Sequence, residues 1–291
     1  MNEDLRSALN SGTIIPVHLQ LSPTNKCNKV CSFCCFADRD KNLSLSLPEL
    51  KDIFKRFKDM GTKAVTVSGG GEPLCHPQIN ELLVELRREE MKVGLMTNGL
   101  LLEKLARETS DAINWLRISL SDDMTKDKID QMDSILEKVV PERPKTNFSF
   151  SYVVTKDKNP EIQEQAIAMA QKYNFSNVRF TPDLYCADEI DMSEVPSSAL
   201  TVIDAKNLAA VRDTDVGKNC YIAYARPFLA ADGYVYPCAH NKEARLCHYT
   251  EFQSRLKTLQ PFNPDCKVCY CNGYNMFLEN ALSTIGDMEF I

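Results

Sequence analysis

An α/β fold on a parallel sheet, either a barrel or an open doubly wound sheet, is predicted by three observations. Short β-branched runs alternate with amphipathic helical patterns up to about residue 183. The helical stretches between them are long enough for the crossovers that parallel strands require. The three least ordinary loops, Cys27–Cys34, Gly69–Glu72 and Thr97–Gly99, each follow a strand-like run, at the carboxyl ends where parallel sheets bind ligands.

Taken in order, the strand patterns are 14–21, 63–68, 92–97, 115–120, 147–154 and 178–181, with helical patterns at 47–60, 78–90, 101–110, 125–140 and 160–173. The first helix is the best signed: Ser46 and Glu49 form a capping-box pair, Pro48 falls in the first turn and Gly61 follows the end. Residues 22–45 make a βα connection far longer than the usual few residues, and its cysteines with Phe33 and Phe36 mark it as functional. The acidic stretch Asp188, Asp191, Glu194 reads as a solvated connection, and Ser198–Arg212 as a helix closing the first domain. Phe228-Leu229 and Tyr234-Val235-Tyr236 flank Asp232-Gly233, which predicts a hairpin with a tight primed turn. A further helical pattern covers Tyr249–Leu259. The domains are therefore placed at 1–215 and 216–291.

A chain of 291 residues with formal charge −6 has no apolar run approaching the ~20 residues of a membrane span, and its start lacks a secretory leader. These features predict a cytoplasmic protein, no membrane partner, and no mainly electrostatic nucleic-acid binding. In a reducing compartment, twelve cysteines read better as metal ligands than as disulfides. Cys27, Cys31 and Cys34 supply three ligands from one loop. Three thiolates on a four-iron cluster leave one iron open, so this spacing points to chemistry more than to stapling. Cys35, Cys75, Cys186 and Cys247 lie outside the two clusters and read as ordinary buried cysteines. His18 on the first strand reads as a satisfied core histidine.

With the cysteine loop and the Gly-Gly-Glu turn both in place, residues 14–183 resemble the partial (β/α)6 barrel of the radical S-adenosylmethionine (radical SAM) superfamily. The resemblance implies that Cys27, Cys31 and Cys34 hold a [4Fe–4S] cluster whose open iron chelates S-adenosylmethionine. Reductive cleavage would then give methionine and a 5′-deoxyadenosyl radical that abstracts a substrate hydrogen. It also implies cofactor contacts from Phe33 near the adenine, from Gly70, Gly71 and Glu72 to the methionine ammonium, and from Ser119. For Phe33, shielding the cluster from water is an equal reading; for Ser119, an ordinary strand-end serine is. Thr97-Asn98-Gly99 is similar to a common family turn, or is simply a polar stop.

The C-terminal pattern, Cys220 and Gly233 followed by Cys238, resembles the opening of a SPASM/Twitch auxiliary-cluster domain. Cys266 and Cys269 resemble its next pair, with Cys271 an alternative to Cys269. The short tail after Cys271 favours the Twitch version with one further [4Fe–4S] cluster, while a four-cysteine zinc site remains the other reading. The resemblance implies a two-electron oxidation in which the auxiliary cluster takes the electron left after hydrogen abstraction. Residues 1–13 leave no room for a peptide-recognition domain, which favours a small-molecule substrate, although such a domain can be a separate protein. The alternatives are a peptide maturase and a non-catalytic metal-binding regulator. Lys26, Lys29, Arg39 and Lys41 make the cluster loop basic, as a solvated loop or a dock for a flavodoxin or ferredoxin electron donor.

Overall fold

The computed structural model describes residues 3–109, 111–183, 185–203, 220–239, 244–258 and 272–287. Its centre is one sheet of ten strands: β1 (His18–Leu21), β2 (Ala64–Val67), β3 (Lys92–Thr97), β4 (Trp115–Ser121), β5 (Asn147–Val154), β6 (Val178–Pro182), β7 (Thr201–Ile203), β8 (Phe228–Leu229), β9 (Tyr234–Tyr236) and β10 (Cys247–His248). The spatial order is β10-β9-β8-β1-β2-β3-β4-β5-β6-β7. From β8 through β7 every neighbouring pair is parallel; β8–β9 and β9–β10 are antiparallel. Among the described residues the sheet ends at β10 and β7 without closing on itself, so it is an open, partial barrel.

The helices α1 (Glu3–Asn10), α2 (Leu47–Asp59), α3 (Ile79–Arg88), α4 (Lys126–Val139) and α5 (Pro160–Lys172) fall between or before strands; α6 (Ile222–Ala225), α7 (Phe252–Thr258) and α8 (Asn272–Asp287) come later. α2 begins with the expected capping box, Ser46 and Glu49 each binding the other's backbone. It buries Leu50, Ile53, Phe54 and Phe57; α3 buries Ile79, Leu82, Leu83 and Leu86. Along β4, Leu116, Ile118 and Leu120 are fully buried, and β1, β3 and β5 likewise bury Leu19, Leu21, Val93, Leu95, Phe148 and Phe150. Because side chains alternate across a strand, the opposite, concave face carries His18, Gln20, Thr66, Met96, Arg117, Ser119, Ser149, Ser151 and Arg179. The apolar side is the helix-packed core; the polar side is free for chemistry.

Four expectations need correction. The first strand pattern, 14–21, pairs only from His18 to Leu21, because Pro16 has no N–H to give a ladder. Residues 101–110 form two 3-10 turns, Leu102–Lys104 and Arg107–Thr109, in place of a helix. Asn80 binds Lys104 O at 3.0 Å and Ala106 N at 2.9 Å, and buried Arg143 donates to Leu105 O at 3.0 Å and Ala106 O at 3.1 Å. Those contacts claim the groups that a continuous helix would use. The closing helix 198–212 begins instead with β7, whose β-branched Thr201-Val202-Ile203 pairs with β6; residues 204–212 lie outside the described residues. In the β8–β9 hairpin only Gly233 has positive φ, +78°, and its N–H returns to Ala230 O at 3.1 Å. That is a turn followed by a left-handed glycine, longer than the primed two-residue turn.

The domain boundary at 215 falls outside the described residues, and β8–β10 extend the same sheet as β1–β7. Among the described residues no helix is long and apolar enough to cross a membrane. The acidic connection is pinned by lysines: Lys156 pairs with Glu189 at 2.6 Å, and Lys158 reaches both Asp191 O and Glu194.

Asp122, just past β4, is 5% exposed and accepts from Tyr152 Oη, Thr155 N, Asn159 N and Gln163 Nε2 at 2.8, 2.8, 3.1 and 2.8 Å. It thereby ties β4 and β5 to the start of α5. Alanine at this position strands several buried donors, each costing about 1–3 kcal/mol, so Asp122→Ala should lower unfolding stability by ~3 kcal/mol or more in denaturant titration. A loss below ~1 kcal/mol would mean that water replaces the carboxylate at little cost.

Candidate active site

The cysteine loop leaves β1 through a narrow neck. Thr24 and Ser44 form an isolated antiparallel bridge, Asn25 N donates to Leu43 O at 2.9 Å, and Leu45 N donates to Pro23 O at 2.9 Å. Beyond the neck, Arg39 turns inward and stitches the loop: its Nε donates to Asn25 O at 2.8 Å, its Nη1 to Phe36 O and, at 3.5 Å, to Cys34 Sγ. Lys29 also turns in, 3.9 Å from Asp123 beyond β4. Of the four cations read as a basic loop, Lys26 and Lys41 stay exposed, while Arg39 and Lys29 are internal fasteners.

Cys27, Cys31 and Cys34 are all half-buried. Burial pushes the Cys31 thiol up; Lys29 pulls it down, and Asp123, Cys34 and Cys27 push it further up. All three thiols therefore lie within one electrostatic neighbourhood. Among the described residues no three His, Cys, Asp or Glu side chains converge on a single-ion site. Three soft thiol donors, with an N–H directed at one sulfur, fit an iron–sulfur cluster better than one hard or borderline ion.

The glycine turn after β2 docks directly on this loop. Gly70 N donates to Ser22 Oγ at 2.7 Å, Gly71 N to Thr24 O at 3.1 Å and Glu72 N to Lys26 O at 2.8 Å. A Cβ on Gly70 would stand 2.4 Å from Asn25 Oδ1, and one on Gly71 would stand 2.1 Å from Lys26 O. Gly71 is thus required by the approach of the cysteine-loop backbone, and Gly70 is crowded by the Asn25 and Ser22 side chains. The Glu72 carboxylate is engaged by protein donors. It is 3% exposed; Oε1 accepts from Leu74 N at 3.0 Å and Thr97 Oγ1 at 2.7 Å, and Oε2 accepts from Asn98 N at 2.7 Å. Burial pushes its pKa up against those three donors. The carboxylate fastens the β2 turn to the β3 turn.

Thr97-Asn98-Gly99 is more than a polar stop. Asn98 Nδ2 donates to Asn28 Oδ1 at 2.8 Å, so the β3 turn also grips the cysteine loop, and Gly99 takes a φ of +81°. Ser119 lies half-buried on the concave face near the end of β4, and Phe33 is half-buried in the loop. Phe36 packs over Phe228 with ring centroids 5.8 Å apart, which seats the loop on β8. His18 binds Thr66 Oγ1 at 2.8 Å on the concave face, away from the helix-packed core expected for it; burial, with the charge of Arg226, pushes its pKa down to about 4.

The four cysteines read as ordinary buried ones are all half-exposed. Cys75 accepts the Asn28 N–H and feels Glu72 and Cys27, while Cys186 Sγ lies 3.5 Å from Asp183 Oδ2 at the end of β6. Burial pushes the Cys247 thiol up to about 11. Of the second cysteine set, Cys220 is buried and Cys238 half-buried; Cys266, Cys269 and Cys271 lie outside the described residues. Ser22, Asn28, Arg39 and Asp123 were missed as site residues. Their one sequence signal is polarity within the long loop or just after a strand.

A sequence profile described as "Radical SAM superfamily" matches residues 21–186, more than half of the chain. A "Probable GTP 3',8-cyclase" of Methanocaldococcus jannaschii is 37% identical over 106 residues, 35% of this chain and 35% of that protein. A "GTP 3',8-cyclase" of Staphylococcus aureus (strain Mu3) is 34% identical over 123 residues, 39% of this chain and 36% of that protein. The matched part thus spans about a third of the length of these curated relatives. Among solved structures, Streptococcus suis SuiB bound to precursor peptide SuiA aligns with TM-score 0.63 and 14% identity, covering 91% of this chain and 69% of that one. Native anSMEcpe with bound AdoMet and Kp18Cys peptide aligns with TM-score 0.55 and 15% identity, covering 94% and 99%. These structural likenesses establish a shared fold. The profile match over more than half of the residues, on a partial barrel with three thiols in its first loop, places the chain in the radical SAM superfamily of enzymes.

Proposed function

We propose that this chain reductively cleaves S-adenosylmethionine and uses the resulting 5′-deoxyadenosyl radical to oxidise a small-molecule substrate by two electrons. The observation that carries the reading is the three-thiol loop held against the Gly70-Gly71 turn by three hydrogen bonds at the carboxyl ends of β1 and β2. When bound, a [4Fe–4S] cluster supplies the electron that breaks the carbon–sulfur bond. Cys27, Cys31 and Cys34 would hold it, and the Arg39 N–H toward Cys34 Sγ would favour added charge on that sulfur. Carbonyls of the Gly70-Gly71 turn would receive the methionine ammonium, Ser119 a polar group of the cofactor, and Phe33 would cover the adenine. The concave face is left for substrate. The names of the sequence relatives, which specify GTP, support a small molecule over a peptide. Exposed Lys26 and Lys41 are suited to an acidic flavodoxin or ferredoxin donor.

The second part of the proposal is an auxiliary [4Fe–4S] cluster on Cys220, Cys238, Cys266 and either Cys269 or Cys271, in a C-terminal unit from about residue 216. Anaerobic reconstitution should load roughly eight irons per chain, and the triple variant Cys220→Ala, Cys238→Ala, Cys266→Ala roughly four, with 5′-deoxyadenosine still released on reduction. Equal iron in the two proteins would remove the auxiliary cluster. Zinc in place of the missing iron would restore the tetrahedral four-cysteine reading.

A further inference from the structure

The cysteine loop carries a guanidinium aimed at one of its own thiols. After Cys34 the backbone turns twice, Ala37 N donating to Cys34 O at 3.2 Å and Arg39 N to Phe36 O at 3.3 Å. Those turns bring the half-buried Arg39 side chain back over the loop. Its Nε donates to Asn25 O at 2.8 Å, its Nη1 to Phe36 O, and Nη1 also to Cys34 Sγ at 3.5 Å. Two backbone carbonyls therefore fix the planar fork, and its N–H meets sulfur without the ordering of a loose side chain. The Asn25 end is itself held: Asn25 N donates to Leu43 O at 2.9 Å and Asn25 Nδ2 to Asp40 O at 3.0 Å. The Asp40 carboxylate is engaged locally, accepting from Asn42 N at 2.9 Å.

Cys31 is served differently. Lys29, beside it in the loop, lies 3.9 Å from Asp123, so the positive charge there comes with a carboxylate. At Cys34 the bonds that Arg39 makes among the described residues go to two carbonyl oxygens and the sulfur. A [4Fe–4S] cluster on three thiolates gains one negative charge on reduction, shared by its sulfurs. Hydrogen bonds to those sulfurs tune the potential, and a donor that is itself a cation favours the more negative, reduced form.

We propose that Arg39 raises the reduction potential of the cluster held by Cys27, Cys31 and Cys34, by stabilising its reduced form through Cys34 Sγ. This rests on the reading that those thiols hold the SAM-cleaving cluster, and it adds the residue that governs how readily that cluster is charged. Arg39 acts through Cys34 and is a positioning residue. The step it biases moves one electron: the oxidised cluster gains it, a low-potential donor loses it, and no proton or bond is transferred.

The anaerobically reconstituted full chain is titrated with titanium(III) citrate in the presence of redox mediators and followed by electron paramagnetic resonance. The signal that SAM alters reports the cluster with an open iron. At the midpoint of the unmodified protein, Arg39→Gln should lower the reduced-to-oxidised ratio about tenfold, a shift of ~59 mV. Arg39→Lys keeps the charge but not the fork, and should lower it about threefold. Lys41→Gln removes an equal charge from an exposed position of the same loop and should leave the midpoint in place. Iron is counted in each protein.

An unshifted midpoint in the Arg39 variant or variants that load iron overturns the inference. So does an equal shift in Lys41→Gln, which would make loop charge, and not the bond to Cys34, the cause. Loss of iron from both Arg39 variants overturns it as well, since Arg39 would then only hold the loop. A signal insensitive to SAM in the unmodified protein defeats the SAM-cleavage reading and this inference with it. A SAM-sensitive signal whose midpoint ignores Arg39 defeats this inference alone.

Discussion

Alanine at Cys27, Cys31 and Cys34 together abolishes 5′-deoxyadenosine release and removes about half of the iron and of the visible sulfur-to-iron absorbance, the share outside the auxiliary cluster, while the fold remains intact. The first half of this expected result follows from the donor set: with three thiols gone, the loop offers no soft ligand in sequence closer than Cys35, and a cluster has no anchor. The second half follows from the neck. The Thr24–Ser44 bridge and the Asn25–Leu43 and Leu45–Pro23 hydrogen bonds close the loop without using a thiol, and the Arg39 bonds to Asn25 O and Phe36 O persist without Cys34. Circular dichroism and thermal midpoint should therefore stay close to those of the unmodified protein. Deoxyadenosine release by the triple variant at an undiminished rate would mean that the radical chemistry starts elsewhere.

Gly71→Ala should be almost as damaging, though it removes no functional group. Its Cβ would stand 2.1 Å from Lys26 O and 2.5 Å from the carbonyl carbon of Asn25, both backbone atoms that cannot rotate away. Relief requires the glycine turn and the cysteine loop to part, breaking the Gly71 N to Thr24 O and Glu72 N to Lys26 O bonds at 3.1 and 2.8 Å. The expected outcome is a protein that folds with a loss of ~1–3 kcal/mol but keeps only the roughly four irons of the auxiliary cluster and cleaves little SAM. Gly273→Ala is the control, since nothing lies within 4 Å of the added atom and alanine favours the α8 helix. Iron loading of Gly71→Ala close to the roughly eight per chain of the unmodified protein would show that loop docking does not govern the cluster.

The core was readable because its signals are local and redundant. β3 and β5 match their expected limits, and β2, β4 and β6 lie within a residue of theirs, since the runs are rich in β-branched and apolar residues, and α3, α4 and α5, which follow β2, β4 and β5, bury apolar stripes. Misreadings came where a distant residue overrode a local pattern. Asn80 and Arg143 dismantle the helix suggested at 101–110, and pairing with β6 draws Thr201–Ile203 into the sheet. The site divides in the same way. A spaced cysteine trio and a glycine run announce themselves, because few other structures need them. The inward turn of Glu72 toward Thr97 and Asn98, the Asn98 grip on Asn28 and the Lys29–Asp123 contact arise only when separate strand ends meet.

The strand that launches the cysteine loop depends on the far end of the sequence. Gln20 N and Ser22 N donate to Pro227 O and Leu229 O, so β1 has its second neighbour only once β8 exists. During synthesis the chain must therefore emerge as far as Leu229 before the founding strand of the cofactor loop is flanked on both sides. Until then its backbone amides invite pairing with other nascent chains. Maturation machinery that delivers iron and sulfide would meet a settled loop only after β8 has been synthesised.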